Sequence, residues 1–159
     1  MIIVSLTGPI CSGKSHLIKQ LDPSLFGSWD IAKDFYIRFG ILVDGKMDWD
    51  EFWDKIRGMQ SELVAEVLSA EKNNKPVFII EHSGTGRWMS SAIKSLKHDF
   101  QVLSVSLKPV KSRELSKRVK KRGDISFKKA KELNSFISGV SDEASALKEI
   151  RSLVCCETR

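Results

Sequence analysis

Eight residues, Gly8-Pro-Ile-Cys-Ser-Gly-Lys-Ser15, constrain this chain more than any other stretch. They satisfy G-x-x-x-x-G-K-[ST] and follow an apolar, β-branched run, Ile2–Leu6. From Lys14 onward Leu17, Ile18 and Leu21 recur at helical spacing. A strand that delivers such a loop to a helix N-terminus builds an anion site. Its glycines let the backbone approach closely, successive N–H groups point inward, and the helix dipole faces the same anion. On this pattern Lys14 serves the terminal phosphates of a nucleoside triphosphate and Ser15 offers a hydroxyl to Mg²⁺. Gly8, Ile10, Cys11, Ser12, Gly13 and His16 complete the cradle, with Cys11 read as a filler without chemistry of its own.

The remainder alternates strand with helix. Further strands are expected over Leu25–Trp29, Val77–Glu81 and Phe100–Leu107. The first helix should run from Lys14 to just before Pro23. Others are expected over Ile31–Phe39, Asp50–Lys72, Trp88–Leu96, Lys108–Arg122, Ser126–Ile137 and Asp142–Leu153. The long one carries Phe52, Ile56, Met59, Leu63, Val67 and Leu68 along one side. Breaks fall at Asp44-Gly45, Asn73–Pro76, Ser83–Gly86 and Gly123-Asp124. This is the pattern of an α/β P-loop NTPase fold: a parallel sheet of about four to five strands with helices on both faces. The 159 residues leave room for one domain, spanning 1–159.

Composition excludes several classes. No apolar run approaches the roughly 20 residues of a membrane span. The N-terminus lacks the basic region of a signal peptide. Cys11, Cys155 and Cys156 have neither a disulfide framework nor metal-ligand spacing. A cytoplasmic protein without membrane contact is expected. A guanine-nucleotide switch should carry Asn-Lys-x-Asp after a strand, whereas Asn73-Asn-Lys-Pro76 lacks the acid and precedes one. AAA-type or transport ATPases need a longer chain.

Three further segments resemble the P-loop kinase superfamily, in particular polynucleotide kinases and the small nucleoside and nucleotide kinases. Trp29-Asp30-Ile-Ala-Lys-Asp34-Phe-Tyr-Ile-Arg38 stands where those kinases place an acid after the second strand, often followed by an Arg. Val77-Phe-Ile-Ile-Glu81-His82-Ser83, followed by Arg87-Trp88, resembles their apolar strand, acid, polar loop and Arg-Trp. Leu115-Ser-Lys-Arg118-Val-Lys-Lys-Arg122-Gly123 resembles their lid helix, within a lid region of about 110–130. The resemblance covers most of residues 2–124. It departs at Glu81, where the family more often has Asp, so Mg²⁺ contact there is direct or through water.

The resemblance implies roles, each with a plainer counterpart. Asp30 is the first choice for the carboxylate that orients and deprotonates an acceptor hydroxyl, and Asp34 the second; Asp30 could equally cap a helix starting at Ile31. Arg38 is either an acceptor-phosphate contact or the i,i+4 partner of Asp34. Glu81 is a candidate Mg²⁺ or acceptor contact, since an acid ending a buried strand needs a partner. His82 is an acceptor contact or a surface loop residue. Arg118 and Arg122 share a helix face and suit the charge of a transferring phosphoryl group; a solvated basic helix is the alternative. Trp49 and Trp53 are candidates for stacking on a nucleobase.

The net charge of +6 is unevenly placed. Lys108–Glu132 holds eleven Lys/Arg against three acids, a local +8, and the remaining residues sum to −2. Such a block points to a concentrated anion. The expected activity is transfer of the γ-phosphoryl of ATP, with Mg²⁺, to a hydroxyl of a polynucleotide (a 5′-hydroxyl or one on a modified base), a nucleoside or a nucleotide. The rivals are a nucleotide-binding ATPase or switch without an acceptor, and a kinase of a non-nucleotide small molecule.

Overall fold

The computed structural model describes residues 1–30, 49–84, 87–123, 125–135 and 137–157, with the side chains of 49–55, 87–88, 133 and 155–157 outside that description. Four strands, β1 (Ile2–Thr7), β2 (Phe26–Asp30), β3 (Val77–Glu81) and β4 (Gln101–Ser106), form one all-parallel sheet in the order β2-β3-β1-β4. The helices are α1 (Lys14–Ile18), α2 (Trp49–Lys72), α3 (Arg87–Leu96), α4 (Ser112–Arg122), α5 (Phe127–Asn134) and α6 (Glu143–Glu157). The α/β class and the parallel sheet are thus as expected. A fifth position is begun but not built: beyond β4, Leu107 and Ser141 form a single parallel bridge.

Strand alternation divides the core in two. Val4 and Leu6 of β1, with Val77 and Ile79 of β3, pack against Leu17 and Leu21 near α1 and Ala146 and Ile150 of α6. Ile3, Phe78 and Ile80 face the other way, onto Met59, Leu63, Val67 and Ala70 of α2 and Met89 and Leu96 of α3. Both faces are therefore covered, and β3 reads as a continuous buried apolar run up to Glu81 for that reason. On α2 the buried stripe runs from Ile56 to Ala70, while Leu68, expected on it, is 52% exposed. The 3.6-residue period carries Leu68 off the face that Val67 holds.

Several expected boundaries shift: the helix expected over Ser126–Ile137 ends at Asn134, and the last helix runs on past Leu153 to Glu157. α1 ends at Ile18, because the next turns close by tighter bonds from Gln20 N–H to Leu17 C=O and from Leu21 N–H to Ile18 C=O. The basic helix starts at Ser112, after the extended Lys108–Lys111. The Gly123 break is real: at φ +80° its N–H closes onto Val119 C=O, ending α4. α5 then starts from Ser126, whose hydroxyl accepts from the Lys129 N–H. Leu115 and Val119 of α4 pack on Ala130 of α5, with Cys11 of the phosphate loop beside them.

Candidate functional site

The parallel sheet brings the C-terminal ends of β1, β2 and β3 to one edge, and the loop after β1 curls there. Its shape depends on left-handed residues: Cys11 at φ +62° and Gly13 at φ +108°. A β-carbon at Gly13 would be strained by that φ and would collide with the Glu143 carboxylate. Ser12 N–H closes onto Pro9 C=O, and α1 starts with Leu17 N–H donating to Gly13 C=O.

Lys14 is buried, and its ammonium donates to Gly8 C=O at 2.9 Å and Pro9 C=O at 3.1 Å. Burial lowers its pKa, opposed by the nearby Glu81 and Asp30 carboxylates. Ser15 Oγ donates to Glu81 Oε1 at 2.9 Å. Burial raises the pKa of Glu81 and the charge of Asp30 raises it further, against the pull of Lys14, the Ser15 hydroxyl and Arg122. Asp30 and Glu81 are register partners at the ends of β2 and β3. Asp30 is thus the last residue of a strand, near enough to Lys14 for its charge to act on it. The structure collects Lys14, Ser15, Asp30 and Glu81 as one cluster, with Arg122 close enough to act on two of them.

Ser12 Oγ is the buried side-chain polar atom left without a partner among the described residues. A buried hydroxyl in that state costs on the order of 1–3 kcal/mol, and it sits in the loop built to receive an anion. A phosphate oxygen there would satisfy it. Mg²⁺ usually takes one or two carboxylates together with substrate phosphates, and the Ser15–Glu81 pair beside Asp30 provides that donor set.

Other expected residues are placed differently. Arg118 lies against the loop: its Nε donates to Glu114 at 2.7 Å, its Nη1 to Cys11 C=O at 3.0 Å, and Glu143 lies 4.0 Å from Nη2. The Cys11 side chain packs against the α4–α5 cluster. His16 is exposed and pairs through Nδ1 with Glu143. His82 is not a surface residue. It is 7% exposed, its Nδ1 accepts from Gly84 N–H at 3.1 Å, and its Nε2 meets Ser5 Oγ at 2.8 Å. Both ring nitrogens are engaged by the protein, which leaves neither for an acceptor. Asp34 and Arg38 lie outside the described residues, as do the side chains of Trp49, Trp53, Arg87 and Trp88.

Two residues escaped the sequence reading. Asn134, at the end of α5, accepts from Ile10 N–H at 2.8 Å and donates to Ile10 C=O at 3.1 Å, pinning the loop from 124 residues away. Glu143, at the start of α6, bridges toward His16 and Arg118. Beside it Asp142 caps the helix, accepting from Ser145 N–H at 2.8 Å.

Neither family models nor curated proteins match this chain. Among solved structures it is similar to shikimate kinase from Aquifex aeolicus vf5, at 16% identity over 98% of both chains with a TM-score of 0.45. A likeness of that depth identifies neither acceptor nor reaction. The chemistry has to come from the side chains. No described helix is long and apolar enough to cross a membrane.

Proposed function

We propose that this chain is an ATP-dependent phosphotransferase. The observation that carries the reading is the convergence of a buried lysine, a serine–carboxylate pair and a second carboxylate beneath a left-handed glycine loop. The loop amides and Lys14 bind the phosphates, and Lys14 exchanges its two backbone carbonyls for phosphate oxygens. Mg²⁺, held by Ser15 and Glu81, would neutralise charge on the terminal phosphates. Asp30 needs no metal to be useful: an acceptor hydroxyl within hydrogen-bond reach of it is oriented and loses its proton there. Arg122 and Arg118 add cationic charge from α4, and Arg118 reaches the transferring group only by leaving Glu114. Asp34 and Arg38 remain candidate acceptor contacts.

Support for a polyanionic acceptor comes from the outer face of α4. Arg113, Lys117, Lys120 and Lys121 are exposed, and none forms a salt bridge with an acid among the described residues, although Lys117 lies near enough to Glu114 to help Arg118 lower its pKa. A polynucleotide backbone would meet several of them, while a free nucleoside would meet none.

The deciding experiment measures ATP turnover alone and with a panel of acceptors: oligonucleotides with a 5′-hydroxyl or a hydroxylated base, nucleosides, nucleotides and small polyols. Acceptor-dependent transfer of the γ-phosphoryl is expected, most efficient on an oligonucleotide. Turnover indifferent to every acceptor establishes the ATPase or switch instead, and preference for a polyol establishes a small-molecule kinase.

A further inference from the structure

A second concavity lies on the other side of β1 from α1. Its volume is about 420 Å³, within the range of about 300–1,000 Å³ typical of small-molecule sites. Ser5 and Thr7 form its floor, His82–Gly84 one end, Ser90, Ile93, Lys94 and Lys97 the α3 wall, and Ile137 and Ser138 the opposite wall. None of the phosphate-loop residues lines it. Ser5 points to the face of Ile3, whereas Val4 and Leu6 point to the face of α1.

We propose that this cavity is a second anion site, which takes a phosphoryl group carried by a small ester or as free phosphate. The first argument is polarity where the fold has no use for it. Ser5 is 4% exposed in the middle of an otherwise apolar central strand. A small apolar residue there would cost the sheet nothing, whereas a buried hydroxyl must be satisfied.

The second argument is proton direction. Gly84 N–H donates to His82 Nδ1, so the ring proton sits on Nε2 and is donated to Ser5 Oγ. The Ser5 hydroxyl therefore still has its own proton to give. No described residue accepts it, and Ser5 lines the cavity. His82 acts here as a positioning residue, turning Ser5 into a donor toward whatever occupies the space.

The third argument is charge. Ser90, Lys94 and Lys97 recur along one side of α3, four and three residues apart, and line the cavity, so its wall carries two positively charged residues. Neither lysine has an acidic partner among the described residues, and no Asp or Glu is among the lining residues. Hydroxyl donors at the floor, two cations at the wall and no acid match a tetrahedral oxyanion. Ile93 and Ile137 supply apolar surface for the organic part of an ester.

The chain's three histidines make the test direct, because His16 lies beside the phosphate loop, His82 at one end of the cavity and His98 beyond α3. Imidazole ¹H–¹⁵N spectra are followed while inorganic phosphate, and separately ribose 5-phosphate, is titrated into the full chain. A saturable movement of His82 is expected, retained in Lys14→Ala and weakened about tenfold or more in Lys94→Ala/Lys97→Ala. His16 should show the opposite sensitivity. Tighter binding of ribose 5-phosphate identifies an ester as the ligand, and equal binding identifies the free anion. The proposal is overturned if His82 shows no saturable movement with either probe, or moves identically without the two lysines. Both lysines are exposed, and an unchanged circular dichroism spectrum verifies that the double variant is folded.

Discussion

The sheet edge and the α4–α5 pair carry charge in opposite ways. At the edge, Lys14 and Glu81 are buried, few, and held by named partners. On α4, Arg113, Lys117, Lys120 and Lys121 are numerous, exposed and without salt bridges to acids among the described residues. Buried charge is strong because little water screens it, and each group must be neutralised locally. Exposed charge is weak per residue, additive over a surface and sensitive to salt. The first kind suits chemistry at one atom; the second suits capture of an extended anion.

The comparison breaks most decisively at Lys14. Lys14→Ala should lower phosphoryl transfer by about 10³-fold, with the circular dichroism spectrum unchanged, because the ammonium serves phosphate and not the core. Activity near wild type would place the chemistry elsewhere.

A pH titration of stability sharpens the buried side. Desolvation, assisted by the charge of Lys14, lowers the His82 pKa from 6.5 to about 4. The folded pKa is depressed, so its contribution is fully present above 6.5 and is lost as pH falls toward 4. That displacement corresponds to roughly 3 kcal/mol. Denaturant unfolding at successive pH values should show the loss, and His82→Gln should flatten it over that window.

Asp30→Asn keeps the size of the side chain and removes the proton acceptor. Turnover should fall about 10²-fold with little change in ATP affinity. If Asp34→Asn carries that loss and Asp30→Asn does not, the base stands four residues further along the chain.

Asn134→Ala tests the link between the two regions. Removing both bonds to Ile10 should weaken ATP binding about tenfold by calorimetry, while Asn134→Asp, which keeps only the acceptor, should lie between. Equal affinities in all three proteins would make the contact incidental.

The smallest effect belongs to the exposed side. Each of Lys117, Lys120 and Lys121 changed to Ala should flatten the log–log salt dependence of oligonucleotide binding by about 0.7 and leave ATP turnover unchanged. Salt slopes unaffected by all three substitutions would reduce the basic face to a solubilising surface.

What could be read in advance follows from range. The phosphate loop and β3 were legible because their signals are local: a fixed motif, and an apolar run ending in an acid. Ile56, Met59, Leu63 and Val67 were legible because period alone places them. Asn134 and Glu143 were not, since Asn134 works on Ile10 and Glu143 on His16, each more than 120 positions away, and no local pattern marks a side chain destined for so distant a partner. His82 was misplaced for a related reason. A histidine after a buried strand looks like a loop residue until Ser5, on the neighbouring strand, supplies its partner. The fold, set by alternation, was therefore more legible than the site, set by tertiary pairing.

Residue 11 has a mechanical consequence. Its carbonyl receives Arg118, and its side chain sits among Leu115, Val119 and Ala130, so the α4–α5 arm is rooted in the loop that cups the nucleotide. An arm attached there is geared to that loop and does not swing as a separate flap. When phosphate enters and the loop settles around it, the displacement reaches α4 through one half-buried thiol-bearing residue. Bulk added at that sulfur would act as a wedge in the gear, and the two ends would fall out of step.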